Sequence, residues 1–319
     1  MNLVIKRKYF LALCLLPAVA IADEQTFKIH IFDDSSVEVK KEVAQEQELQ
    51  MIIFDEPVSG GKEKQAVKET EAFNYWEIGL STGYQNESLA WQVASPIINE
   101  SWNSVDLWNL QADLKFKLPS GFLLKGRAKY GFLFDGNFQA NDEFGRSIQS
   151  VANDGSAMEF SGAGGYEFIL GKKNQAVWGS ITPLVGYEYQ EQDYKAINNS
   201  YNTQWKGPWV GLDMVLGLQG GHEFFMNSAV HWADFEAEGT KSIYSLEHSA
   251  KSHGYKAGMG YRFRANDSWA LNLSFEYQHW DTKVGNETLI LQSGDVIGSE
   301  LTSVLRSAFS VNTGVEFSF

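Results

Sequence analysis

Residues Phe309 to Phe319 read F-S-V-N-T-G-V-E-F-S-F. Counting back from Phe319 in steps of two gives Phe317, Val315, Thr313, Val311 and Phe309, a mostly apolar set. The residues between them, Ser318, Glu316, Gly314, Asn312 and Ser310, are polar or very small. A period of two marks a strand with one apolar and one wet face. The edge strand of a soluble sheet carries the same pattern, so the rest of the chain has to decide.

Working outward, the alternation recurs from Phe73 onward. Trp76, Ile78, Leu80, Thr82 and Tyr84 share one phase, with Glu77, Gly79, Ser81 and Gln85 in the other. Trp108, Leu110, Ala112, Leu114, Phe116 and Leu118 oppose Asn109, Gln111, Asp113, Lys115 and Lys117. Leu124, Ala128, Tyr130, Phe132 and Phe134 oppose Lys125, Arg127 and Lys129. Seven further segments follow, near 158–170, 177–189, 208–219, 222–234, 252–264, 268–280 and 303–319, giving ten candidate strands.

The connections alternate between short and long. Leu118-Pro119-Ser120-Gly121, Gly171-Lys172-Lys173-Asn174, Gln219-Gly220-Gly221 and Arg264-Ala265-Asn266-Asp267 are tight turns. Segments 86–103, 135–157, 190–207, 235–251 and 281–302 are long and polar and read as loops. Short turns on one side and long loops on the other, with an even strand number, predict an all-β fold. That fold is a transmembrane antiparallel β-barrel of about ten strands, eight or twelve being the alternatives, with both termini on the periplasmic side. Closure is obligatory, because an open sheet edge in lipid leaves backbone N–H and C=O groups unpaired. Tyr75, Trp76, Trp178, Tyr187, Tyr189, Trp209, Trp269, Phe317 and Phe319 sit near strand ends as an aromatic girdle would, although phase places Trp178 inward. The terminal Phe317 and Phe319 resemble the sorting signal of bacterial outer-membrane barrels, which implies recognition of the last strand by the barrel-assembly machinery.

The N-terminus fits export. Lys6, Arg7 and Lys8 precede an apolar run, Phe10 to Ile21, and Ala20-Ile21-Ala22 forms a small-x-small cleavage site. Residues 1–22 are therefore expected to be a signal peptide. The run is too short for a transmembrane helix, which needs about 20 residues, and the only cysteine, Cys14, falls within it. Residues 23–72 form an acidic, aromatic-poor extension, expected to be mostly irregular, and 73–319 the barrel. The net charge of −14 excludes nucleic acid as a partner class, since phosphate binding needs clustered Lys and Arg. Outer-membrane lipid, lipopolysaccharide and small solutes or ions are the expected partners, in a Gram-negative cell envelope.

Function has to reside in the interior or the loops. Lys115, Lys117, Lys125, Arg127 and Lys129 form a basic stripe on adjacent inward faces. Glu159, Glu167, Glu188 and Asp213 lead an acidic set elsewhere on the wall. Opposite charges on facing walls imply a transverse field across the lumen. About eight strands enclose only side chains and 16–18 leave a water channel. Ten strands favour a salt-bridged, largely filled interior, while inward glycines leave room for a pore. No His or Cys spacing fits a metal, and no cofactor motif is present.

The ten-strand layout of 73–319 resembles the omptin proteases. That resemblance implies an acidic pair facing an Asp–His pair at the extracellular rim. The family's Asp-x-Asp-Trp meets Asn141-Asp142-Glu143-Phe144, and its Asp-x-His has only Leu246-Glu247-His248 as a counterpart. Glu143 and His248 are thus the only catalytic candidates, and adjacent Glu247 and His248 would point to opposite faces of a strand. A second resemblance rests on Trp102-x-x-x-Asp106-Leu107-Trp108, Leu123-Leu124-Lys125-Gly126-Arg127-Ala128 and Tyr130-Gly131-x-x-x-Asp135-Gly136-Asn137-Phe138. These residues resemble the Protochlamydia outer membrane protein family of omptin-like barrels, which implies channel activity rather than proteolysis. The expected function is therefore non-enzymatic, a narrow porin-like channel or a surface-structural barrel. Rim proteolysis and adhesion through segments 135–157 and 281–302 are the alternatives.

Overall fold

A computed structural model describes residues 75–94, 97–141, 147–171, 176–196, 199–241 and 244–319. Ala20, Ala22 and the extension 23–72 lie outside the described residues. The strands are β1 (Tyr75–Ala94), β2 (Ile97–Lys117), β3 (Phe122–Asn141), β4 (Ser147–Tyr166), β5 (Phe168–Leu170) and β6 (Val177–Ala196). They continue with β7 (Asn199–Leu218), β8 (His222–Lys241), β9 (Tyr244–Arg264), β10 (Trp269–Thr282), β11 (Gly285–Leu291) and β12 (Val296–Ser318). Each pairs antiparallel with its neighbour, and β1 closes on β12. The short β5 lies on β6, and β11 continues the position of β10 between β9 and β12. The circumference is therefore a ring of ten staves, as the periodicity predicts.

The seam between β1 and β12 runs from Glu77 opposite Ser318 to Val93 opposite Leu301. Trp76 and Phe319 complete it by exchanging backbone hydrogen bonds of 2.9 and 3.0 Å, so the quoted terminal strand is the closing stave. Gly83 marks the tightest approach: a Cβ there would lie 2.7 Å from the Asn312 Cα, against the backbone of β12. At the end of the barrel carrying the chain termini (the proximal end), the turns need left-handed backbone at Gly121 (φ 96°), Gly220 (88°) and Gly221 (83°).

Alternation sorts the side chains as expected over the proximal half. Trp76, Leu80, Leu110, Leu124, Phe132, Val210, Phe224, Leu271 and Phe309 are exposed on the outer face. Glu316, Asn312 and Ser310 are buried inward. Two expected girdle residues turn the other way. The Tyr75 hydroxyl turns inward, donating to Glu77 (3.0 Å) and lying 2.7 Å from the Ser318 hydroxyl, and Trp209 packs against His231 with ring centroids 5.8 Å apart.

The long polar loops are corrected by the structure. Segments 86–94, 97–103, 190–196, 199–207 and 235–241 are paired strand. A strand of about 20 residues extends roughly 66 Å, whereas about 9–11 tilted residues cross a bilayer. About half of each stave therefore projects beyond the lipid band at the distal end. There the outward positions turn polar (Asp234, Glu236, Glu238, Lys251), and the inward ones become apolar: Leu89, Trp91, Trp205 and Phe235 are buried. Hairpin pairing keeps the backbone satisfied in water, and the apolar inner face holds the strands together.

On β2 and β3 two opposed bulges accompany that switch. The register of β2 against β3 shifts between Asn103 and Asp106 and again after Asp106, which pairs with Asp135. Ser104 adopts φ 50°, and the Asp135 carboxylate accepts from the Gly136 N–H at 2.8 Å. The extra residues change phase, so Trp102 and Phe138 point inward with rings 4.9 Å apart.

Gly83→Val should force β1 from β12. The folded, fast-migrating band in unheated gel electrophoresis should be lost at a lower temperature than for the wild type, whereas Gly126→Val, on the lipid face with only Leu114 Cβ at 4.0 Å, should change little.

Candidate functional site: a lumen in two halves

The proximal half of the lumen is a charged chamber. The basic stripe of β2 and β3 does not leave a field across it, as the alternation alone suggested, because the charges meet their opposites directly. Lys125 reaches Asp213 of β7 at 2.5 Å. Arg127 bridges Asp113 (2.9 Å) and Glu276 of β10 (2.8 Å). Lys117 pairs with Glu167. From the opposite wall, Lys256 of β9 holds Glu159 (2.9 Å) and Glu188 (2.8 Å). Lys115 stands opposite Glu77 in register, and buried Lys129 opposite Glu159. Nearer the termini, Arg262 holds Glu223 (3.0 Å) and Glu316 (2.7 Å), with Arg264 on Glu223 at 2.7 Å. The pairs border a cavity lined by Asp113, Lys125, Arg127, Asp213, Trp209 and His231. Asp113, Lys125 and Arg127 retain 39, 37 and 29 % side-chain exposure, so this space is wetted.

Above the chamber lies a collar. Arg306 of β12 donates to Glu87 of β1 (2.8 Å) and to Gln190 of β6. Tyr194 donates to the same Glu87 carboxylate. Gln190 reaches Gln278 of β10 at 3.2 Å, and Gln85 donates to Glu87 at 2.8 Å. Distal to the collar the barrel is filled by Trp102, Tyr194, Trp205, Phe235, Trp280, Leu89, Leu107 and Leu301, all 2 % exposed or less. Trp205 lies 4.5 Å from Phe235 and 5.3 Å from Trp280 between ring centroids, and Trp102 lies 5.8 Å from Tyr194. This is a packed core, with the density and intolerance to voids of a soluble protein.

His248 occupies the distal rim, buried with no side-chain exposure. Its Nε2 lies 2.8 Å from Glu287 of β11, and its Nδ1 2.7 Å from the Tyr201 hydroxyl. Tyr201 stacks on Trp91 at 4.0 Å. Burial, and then the charge of Glu287, pushes the Tyr201 phenol well above its ordinary value. Both nitrogens are engaged, and two residues back the inward position holds buried Leu246, not an acid. Glu143 lies outside the described residues. Through these two bonds His248 fastens β11 to β7 and β9. Among the described residues no cluster of three or more His, Cys, Asp or Glu is placed to hold a metal.

Sequence reasoning found the chamber charges and missed the collar and core. Glu87, Tyr194, Glu287 and Trp102 fall in segments read as loops, whereas Arg306 lies within 303–319, in phase with inward Ser310 and Asn312. The period-two spacing of Leu89, Trp91 and Val93 was the available signal.

Removing one partner of the buried Arg306–Glu87 pair leaves an uncompensated charge, at a cost of about 3–5 kcal/mol. Arg306→Met should lower the unfolding free energy of the refolded barrel, measured by denaturant titration, by that amount, and Arg306→Met with Glu87→Leu should recover most of it.

With this geometry in view, the chain was compared with known proteins. The crystal structure of the outer membrane protease OmpT from Escherichia coli is similar, with a TM-score of 0.65 at 13 % identity, covering 77 % of this chain and 96 % of that one. At this identity the likeness is one of fold. The outer membrane protein OprG from Pseudomonas aeruginosa also matches, at 10 % identity and a TM-score of 0.34, over 78 % of this chain and 96 % of that one. No curated protein matches the sequence. The profile of the Protochlamydia outer membrane protein family matches residues 79–319, nearly the whole closed sheet from β1 to β12. The chain belongs to the Protochlamydia outer membrane protein family, a family of outer-membrane β-barrels.

Proposed function

We propose that this outer-membrane barrel is a narrow, porin-like passage for small solutes, non-enzymatic and closed in the conformation described. The observation that carries the reading is the wetted, charge-lined chamber inside the lipid-spanning half. A barrel built only as a scaffold gains nothing from holding so many ionised groups around open space, because each must be desolvated or paired. With the termini in the periplasm, as short turns on that side imply, the chamber faces the periplasmic half and the aromatic core faces outward. The last strand, ending at Phe317 and Phe319, is then the element offered to the assembly machinery, and Ala20 to Ala22 the cleavage site of an exported precursor. Passage requires the collar and the core beyond it to part.

The filled distal half favours a second reading, a surface-structural barrel whose outer portion is a stable platform. Rim proteolysis has no comparable support, since His248 is sealed between Tyr201 and Glu287.

Planar bilayers separate the two readings. For the channel, the purified wild-type protein should give infrequent, small conductance steps. Arg306→Ala and Trp102→Ala, which open the collar and the core, should make the steps larger and more frequent. Silence in the wild type and in both folded variants would leave the structural barrel as the account.

A further inference from the structure

The wall of the chamber formed by β4, β6, β7 and β8 carries polar atoms that have no hydrogen-bond partner among the described residues. His231 is 2 % exposed, and neither ring nitrogen has a hydrogen-bond partner. The Trp209 Nε1–H is likewise unpaired, as is the second oxygen of Glu159. All three residues border the same cavity. A buried polar group without a partner costs about 1–3 kcal/mol, so three on residues that border one space favour an occupant.

The seat of that occupant is built. The Trp209 ring lies over Gly186 and Gly211: a Cβ on either would come within 2.5 and 2.9 Å of it. Neighbouring staves are thus stripped of side chains where the ring rests against the wall. His231 continues the aromatic surface at 31° to the indole and then meets Trp280 at 5.1 Å. Facing this surface are the paired charges, Lys125 with Asp213, Arg127 with Asp113 and Glu276, and Lys256 with Glu159 and Glu188.

We infer that the chamber binds a small, neutral, polyhydroxylated molecule of monosaccharide size, seated on Trp209. The unpaired set needs both kinds of partner. Trp209 only donates, Glu159 only accepts, and neutral His231 does one at each nitrogen. A hydroxyl does both. A charged ligand would have to break ion pairs already made across the lumen, whereas hydroxyls add bonds to their remaining lone pairs and protons. The flat indole offers an apolar face to ring C–H groups. The inference takes from the proposed function only the wetted chamber and not conduction, so a silent bilayer leaves it standing.

The test is calorimetric titration of the purified, refolded full chain with D-glucose, and with glycine as a zwitterion of smaller size. Saturable binding of glucose and none of glycine is expected. His231→Phe keeps the aromatic surface and removes both nitrogens; it should weaken binding by about tenfold, the equivalent of one to two neutral hydrogen bonds. Trp209→Phe, which keeps a ring and loses the N–H, should weaken it less, and both variants should retain the folded gel mobility. Absence of saturable glucose binding to the wild type would overturn the inference and assign the unpaired atoms to trapped water. Glycine binding in place of glucose, or glucose binding unchanged in a folded His231→Phe, would overturn it as well.

Discussion

The structure depends on one constraint: within lipid, no backbone N–H or C=O can be left without a partner. Pairing of β1 with β12 meets it, and the reciprocal bonds between Trp76 and Phe319 complete the seam at the terminal end. Once the sheet is a ring, alternate residues must share an enclosed space. Ten staves enclose more than side chains alone fill without effort, and the sequence resolves that volume in two different ways.

In the lipid-spanning half the interior is kept charged and wet. Ion pairs there span the lumen between distant staves, such as Lys125 to Asp213 and Arg127 to Glu276, so they brace the ring while leaving a space between them. In the distal half water surrounds the outside of the sheet, and the interior must supply the cohesion. Aromatic packing does so, and deleting one such side chain typically costs about 3–5 kcal/mol. The collar of Arg306, Glu87, Gln190 and Gln278 joins these regimes. There the Arg306–Glu87 pair is fully buried, and the guanidinium donates from each of its three nitrogens.

Much of this was legible in the sequence, and the failures have physical causes. Period two identified ten staves, the proximal Gly, Pro and Asn turns, and the inward placement of Lys117, Lys125, Arg127, Glu159 and Asp213. Hydropathy could not distinguish a polar loop from a strand whose outer face meets water, so segments such as 190–207 were read as loops. Bulges at Asn103–Asp106 and near Asp135 reversed the phase, which hid Trp102 and Phe138 from an uninterrupted count. The same stretch, Trp102 to Phe138, carries the family resemblance. Cross-lumen partners were out of reach: which acid meets Arg127 or His248 is decided by closure, not by spacing along the chain.

The division of the lumen is the central claim, and thiol accessibility tests it most directly. In a Cys14→Ser background, a cysteine replaces either Ser161, which lines the chamber, or Thr203, which is 0 % exposed in the distal core. Each folded variant is reacted with a small, charged thiol reagent. Ser161→Cys should react readily and Thr203→Cys only after unfolding. Comparable rates at the two positions would show that water runs through the distal half, and would contradict the account.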